Sequence, residues 1–361
     1  MTSATTPQTS PGRRLRFAAV GLIVLGVAAP FAYAGGWLSP HRLTPGRFVD
    51  TFEHVSGLHP GFRRNHAKGV GVRGYFESSG KGALLSRALV FQPGRVPVVG
   101  RFSLSGGNPF QADAPRTVRA MALQFLLLDG EEWRTAMIDT PVFAVNTPEA
   151  FRDQLVAMAA DPATGKPDPA KVKAFFAGHP ESVRAVERIK AQMPSSGFHD
   201  STYGGLDAFV FVDAGGHRTP VRWWMVPAQP FEPATPAPPD APNYLFDTLA
   251  ARLRRQPLQW HLVLTIGQPG DPTNDATIPW PPDRERVDAG TLTIDAIEGE
   301  ETSPARTVNF DPLVLPDGIE SSDDPLLSAR SAVYSASFRR RVGEPVSPSP
   351  VTNTEVEVSG P

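Results

Sequence analysis

The sequence contains no cysteine. That absence excludes disulfides, thiolate metal sites and a cysteine nucleophile. It also leaves no thiol to over-oxidise, which suits oxidising surroundings. Charge of one sign is lacking too: 35 Lys and Arg stand against 37 Asp and Glu, for a net charge of -2. Composition therefore gives no support for nucleic acid or another polyanion as a partner. Long hydrophobic runs are scarce. The one present extends from Phe17 to Ala34, is interrupted by Pro30, and follows Arg13, Arg14 and Arg16. It ends in Ala32-Tyr33-Ala34, the small-x-small pattern of signal cleavage. Its length is also the short limit for a membrane span. Residues 1–36 thus read as a signal peptide or an N-terminal membrane anchor. Either form exports the remainder, because the basic flank stays inside. The expected location is periplasmic or otherwise extracytoplasmic, with residues 17–34 as a possible tether.

What is present is ordinary globular material: 40% hydrophobic and 20% charged residues, in a chain long enough to bury a sizeable core. Residues 44–58 have the periodicity of a short amphipathic helix. Residues 66–145 read mainly as strands, with alternation in Gly69–Phe76 and apolar runs at Val96–Leu104 and Ala120–Leu128. Helical periodicity follows over 148–193, around a turn region at Asp161–Pro169. Strands resume at Ala208–Val212 and Val221–Val226. Pro227 to Pro242 is Pro- and Ala-rich and predicts an extended linker. Asn243–Arg255 predicts a helix; Gln259–Gly267 and Gly290–Glu298 predict strands. The pattern implies an α+β chain, an antiparallel β-barrel with helices packed outside. The Pro- and Ser-rich residues 346–361 predict a disordered tail.

Two places carry candidate chemistry. Asp323-Asp324-Pro325 is a helix start. On that helix Arg330, Tyr334 and Arg341 fall within about 40° of one another. A phenol beside a fixed cation is favoured as phenolate, and phenolate is a known axial ligand of haem iron. The second place is His66, at a loop-to-strand junction, where an imidazole can take and return a proton. Taken singly, a helical tyrosine is most often core and a lone histidine is most often surface.

Their surroundings change that balance. Arg63-x-x-His66-Ala67-Lys68-Gly69-x-Gly71-x-x-Gly74-Tyr75-Phe76 resembles the distal-histidine motif of haem catalases. Arg101-Phe102-Ser103 is similar to their next strand, and Thr140-Pro141-x-Phe143 to the segment whose phenylalanine faces the haem. Phe310-Asp311-Pro312, Pro316-x-Gly318-Ile319-Glu320, Asp324, Arg330 and Tyr334 resemble the proximal stretch. The motifs are collinear and cover residues 44 to 345. The chain stops soon after the proximal helix, with no C-terminal helical domain, and so looks like a minimal, exported catalase-related peroxidase with its haem domain over 37–345.

The resemblance implies haem b as cofactor and the following roles. Tyr334 would hold the iron, with Arg330 donating to its oxygen. His66 would move the peroxide proton, with Ser103 orienting its ring. Arg63, Arg101 and Arg341 match positions that bind the haem propionates. Phe143 and Phe151 match aromatic haem-wall positions. Two departures stand out. Where catalases carry an asparagine two residues before the Thr-Pro, this chain has Ile138, which offers no donor. Arg64-Asn65 replaces residues that are usually apolar, which predicts a more polar distal side. The first departure implies a peroxidase with weak catalase activity, using hydrogen peroxide or organic hydroperoxides and a small organic electron donor. A hydroperoxide isomerase of the allene oxide synthase type and a non-catalytic haem-binding protein are the alternatives. Retention of both His66 and Ser103 argues against the passive binder. Oligomeric state stays open.

Overall fold

The computed structural model describes residues 11–34, 42–351 and 356–357. Helix α1 (Pro11–Ala34) is apolar and long enough to cross a membrane, and from Leu15 to Tyr33 none of it is buried against the rest. Helix α2 (Pro45–Ser56) starts where the Thr44 hydroxyl accepts from the Arg47 amide, with proline at its first position.

The strands follow in order: β1 (Gly69–Ser78), β2 (Gly94–Leu104), β3 (Arg119–Leu126) and β4 (Glu132–Ile138). Three helices come next, α3 (Pro148–Ala157), α4 (Pro169–Gly178) and α5 (Pro180–Ala191). Then come β5 (Tyr203–Gly204), β6 (Phe209–Val212), β7 (Arg218–Pro227), α6 (Tyr244–Leu253), β8 (Leu258–Ile266) and β9 (Arg286–Glu298). The short β10 (Ile319–Ser321) leads into α7 (Pro325–Val342), and β11 (Val356–Glu357) ends the described chain. Strands β1, β2, β3, β4, β5, β7, β8 and β9 pair in that order, all antiparallel, and β9 returns to β1. The sheet is thus a closed barrel, as the sequence pattern implied. Closure leaves no open edge in the ring. Gly74 sits at that seam. A Cβ there would lie 1.9 Å from the Thr293 carbonyl oxygen of β9, so no side chain fits.

Alternation along the strands sorts core from site. Phe102 of β2, Phe125 of β3, Trp133 of β4 and Trp223 of β7 point inward and are fully buried. Trp133 stacks on Phe125 at 4.8 Å and meets Trp223 edge-on at 5.1 Å. Aromatic side chains therefore fill much of the barrel interior. The alternate residues, Arg101 and Ser103 on β2, Ala120 and Ala122 on β3, Ala136 and Ile138 on β4, form the outer wall. Helices cover that wall: Phe48, Val49 and Phe52 of α2 pack against Val333 and Ala336 of α7.

The tail departs from expectation. Residues 346–351 are not a disordered extension: Ser349 and Val351 are buried, and Ser347 donates to the Pro60 carbonyl at 2.8 Å. Beyond them β11 adds to β9. The rest of the tail, residues 352–355 and 358–361, lies outside the described residues.

Candidate active site

A cavity of about 510 Å³ lies between the outer barrel wall and helices α2, α3 and α7. Every residue singled out from sequence lines it: Arg63, His66, Arg101, Ser103, Phe143, Phe151, Arg330, Tyr334 and Arg341, with Ile138 in the wall. Ala120, Ala122 and Ala136 of the barrel wall line it, and their methyl groups take little room. Phe143 and Phe151 meet edge-on at 5.4 Å and carry the apolar lining across to Phe48 of α2.

Tyr334 is placed by the start of α7. The Asp324 carboxylate accepts from the Leu326 amide at 2.9 Å, and Pro325 occupies the first turn. Arg330, one turn before Tyr334, has its guanidinium 5.9 Å from the phenol ring centre. Asp207 and the Ala136 carbonyl accept from that guanidinium. Burial disfavours the Arg330 charge, yet Asp207 and Tyr334 outweigh it and hold the guanidinium protonated. Asp207 is itself pushed up by burial, against the pull of Arg330 and Arg222.

His66 has φ 54°, one of two non-glycine residues in the left-handed region among the described residues. Such a backbone costs about 1–3 kcal/mol and persists only when its surroundings fix it. Three contacts do so here. Asn65 Oδ1 accepts from the His66 amide at 3.0 Å and from the Gly106 amide at 2.9 Å, and Arg101 Nη1 donates to the His66 carbonyl at 2.7 Å. The ring is pushed down from 6.5 to about 3 by burial first, then by the charges of Arg101, Arg330 and Arg63. It is a neutral base at ordinary pH. Its Nδ1 is buried without a partner. Ser103 is buried in the same wall, and no hydrogen bond joins it to His66 among the described residues.

The distal side is less polar than Arg64-Asn65 implied. Arg64 is 5% exposed, and its guanidinium is tied to Glu53 at 2.7 Å and to Glu344. Asn65 is spent on the turn. Arg101 lines the cavity and is also tied to the protein. It donates to the His66 and Ala67 carbonyls and, through Nε and Nη2, to Glu300 at 3.0 and 2.7 Å. Gly69 makes room for it: a Cβ there would sit 2.5 Å from the Arg101 guanidinium carbon. Asp207, which lines the cavity, and Glu300, which pairs with Arg101 behind it, are carboxylates that sequence reasoning missed. Neither lies in a motif. The one available signal was a surplus of cavity arginines without a counter-ion.

Fold and pocket together define a closed antiparallel barrel whose outer wall and covering helices hold a largely apolar pocket that arginines, a histidine and a tyrosine also line. The Catalase family model matches residues 40–360, and the chain belongs to the catalase family. It is 37% identical over 331 residues to a catalase-related peroxidase of Synechococcus elongatus, covering 91% of this chain and 97% of that one. A catalase-related peroxidase of Mycolicibacterium paratuberculosis is 35% identical over 305 residues, covering 83% and 96%. The solved structure of a bacterial catalase superposes with a TM-score of 0.70 at 22% identity; it covers 82% of this chain, which spans 60% of its length.

The family implies a haem cofactor, and the residues fit one. The pocket is lined mainly by apolar side chains, among them small alanines and two phenylalanines. At its edge Arg63 Nε and Arg341 Nη2 are buried and have no partner among the described residues, as donors for carboxylates would be. Tyr334 lines the same pocket with a phenol, a group of the kind that can hold haem iron.

Proposed function

We propose that this chain is a haem-dependent peroxidase, an oxidoreductase acting on peroxide, which takes its electrons from a small organic donor and disproportionates peroxide only weakly. Haem b is the form the reading calls for. When bound, the haem supplies the redox change that accompanies O–O cleavage. The protein supplies position and protons. Tyr334 is the iron ligand, and Arg330, held by Asp207, donates toward its oxygen. His66, neutral because it is buried among arginines, takes the proton from one peroxide oxygen and returns it to the other, so that water leaves. Arg63 and Arg341 bind the propionates, and Phe143 and Phe151 form the haem walls.

Ile138 carries the reading against efficient catalase activity. It lines the cavity and has no polar atom to orient a second peroxide. With Val118 and Phe143 it keeps that side apolar, which suits organic hydroperoxides as well. The relatives with the name catalase-related peroxidase support the same reading. Helix α1, apolar and unburied, supports export or tethering of the domain.

The test is the absorption spectrum of protein purified with haem supplied, for the wild type and Tyr334→Phe, with oxygen evolution and donor oxidation on the same samples. A ferric tyrosinate spectrum that disappears in the variant is expected, with donor oxidation exceeding oxygen release. Haem-free wild type, or oxygen evolution at the rate of a dedicated catalase, defeats the reading.

A further inference from the structure

We propose that Glu300 is a built-in competitor for the carboxylates of the haem and weakens the grip of the arginine cluster on the cofactor. The inference rests on the haem reading above. The guanidiniums of Arg63, Arg101 and Arg341 line the cavity, and Glu300 stands behind them in a small cleft that Arg341 also lines. Glu300 accepts bidentately from the Nε/Nη2 edge of Arg101, at 3.0 and 2.7 Å. Its Oε1 stands 3.6 Å from Arg63 Nε, close enough for charge attraction and too far for a hydrogen bond. Arg63 instead spends Nη2 on the Ala305 and Val308 carbonyls, and Arg341 spends Nη1 on the Arg306 carbonyl. One buried donor on each stays unpaired.

With Arg306 and Glu301 beside them, the cluster keeps a net positive charge that carboxylates would offset. Arg101 commits Nε, Nη2 and one Nη1 N–H and holds the His66 backbone, while Arg63 and Arg341 each have a buried donor to offer. Glu300 stays ionised: burial opposes its charge, but Arg101, Arg63 and Arg341 outweigh that and hold its carboxyl low. It lies on the segment after β9, in the same cluster that two incoming carboxylates must enter. Like charges at that range repel, so Glu300 favours the haem-free cluster and disfavours the loaded one. It keeps the arginines paired before haem arrives and taxes its retention afterwards.

The experiment measures haem loss from the loaded full chain to an excess of a haem-scavenging globin, for the wild type and Glu300→Gln, with haem and with haem dimethyl ester. Glu300→Gln should lose haem at least about tenfold more slowly than wild type, a lower bound for one like-charge contact near the protein surface. The ester, which has no carboxylates, should show no such gain. Haem-free Glu300→Gln should melt below haem-free wild type, because three guanidiniums lose their counter-ion. Loss from Glu300→Gln as fast as from wild type, or faster, overturns the proposal and makes Glu300 a strut for Arg101. If the variant does not fold, the wild type alone decides: esterification should speed loss by about tenfold or less, because Glu300 already neutralises part of the cluster, whereas a hundredfold effect overturns the idea. Wild type that binds no haem defeats both this inference and the proposed function. Wild type that binds it with Glu300→Gln unaltered defeats the inference alone.

Discussion

Asp207 accepts a hydrogen bond from Arg330 Nη1, and the same guanidinium lies 5.9 Å from the ring centre of Tyr334. Asp207 is 3% exposed and stands in the turn between β5 and β6, so the ion pair joins that turn to α7. Asp207 is a positioning residue: it acts on Tyr334 through Arg330. Removing one partner of a buried pair costs about 3–5 kcal/mol. Asp207→Asn should fall at the low end, because the Ala136 carbonyl still holds Arg330. Denaturant unfolding checks the stability. A shifted absorption spectrum in the haem-loaded variant, restored by Asp207→Glu, distinguishes positioning of Arg330 from simple destabilisation.

Ile138 ends β4 and pairs across to Ala120 and Gly204, so an asparagine side chain there would point from the same wall into the cavity. Ile138→Asn should raise oxygen evolution relative to donor oxidation by roughly tenfold. That is a fraction of the 10²–10³ a fully preorganised donor is worth, since no surrounding residue has been fitted to it. The ratio of the two rates on one preparation is the measurement. An unchanged ratio would show that Ile138 does not set the balance.

The pH dependence follows from His66. Its folded value is about 3, against 6.5 for free imidazole. Peroxide-dependent donor oxidation should therefore show no acid limb near 6.5 from this residue. The sign for stability is also fixed. Between those values the unfolded chain binds a proton that the folded chain refuses, so the contribution is complete above pH 6.5 and is lost as pH falls toward 3. Urea unfolding of the haem-free protein from pH 7 to pH 4 should give a steeper loss for wild type than for His66→Gln.

Gly69→Ala tests the clamp on the His66 backbone. The added methyl would meet the Arg101 guanidinium carbon at 2.5 Å and the Phe102 carbonyl oxygen at 2.6 Å. The second is main chain and cannot swing aside. Overpacking of this kind costs about 1–3 kcal/mol. Haem-free melting should drop accordingly, and a Gly69→Ala protein that melts like wild type would show that the clamp can relax.

How legible the molecule was depends on how local each signal is. The strand runs and the Asp324-Pro325 helix start are written in adjacent residues, and β2 and α7 form where those patterns place them. His66 and Tyr334 were legible because each sits in a long motif. Asp207 and Glu300 were not. Asp207 meets Arg330 across 123 residues and Glu300 meets Arg101 across 199, and neither has a local pattern that a carboxylate on a surface turn would lack. The role of Arg101 was hidden for the same reason: its backbone acceptors come from a different segment, brought beside it by the β1–β2 pairing. The tail misled through composition. Proline and serine suit unfolded chain, but here they follow Glu344 into a set of fixed contacts.

Those contacts give the last prediction. Glu344 accepts from the Gly61 amide at 2.8 Å and from the Arg64 guanidinium, and Ser347 donates to the Pro60 carbonyl at 2.8 Å. Residues 60–64 are the loop that leads into His66 and carries Arg63. Val351, 2% exposed, anchors the far end of the strap in the main core. A chain ended after Gly343 would leave Arg64 with Glu53 as its remaining carboxylate, and would strip two backbone contacts from the loop. Loss of one charged hydrogen-bond partner from a buried guanidinium costs about 1–3 kcal/mol, and the truncation should cost at least that. The effect should reach the pocket as well: haem loss should accelerate as Arg63 loosens, and Glu344→Gln should reproduce part of it while leaving the strap in place. Haem release from full-length, truncated and Glu344→Gln proteins measures both, and equal rates in all three would show that the tail supports the fold without holding the site.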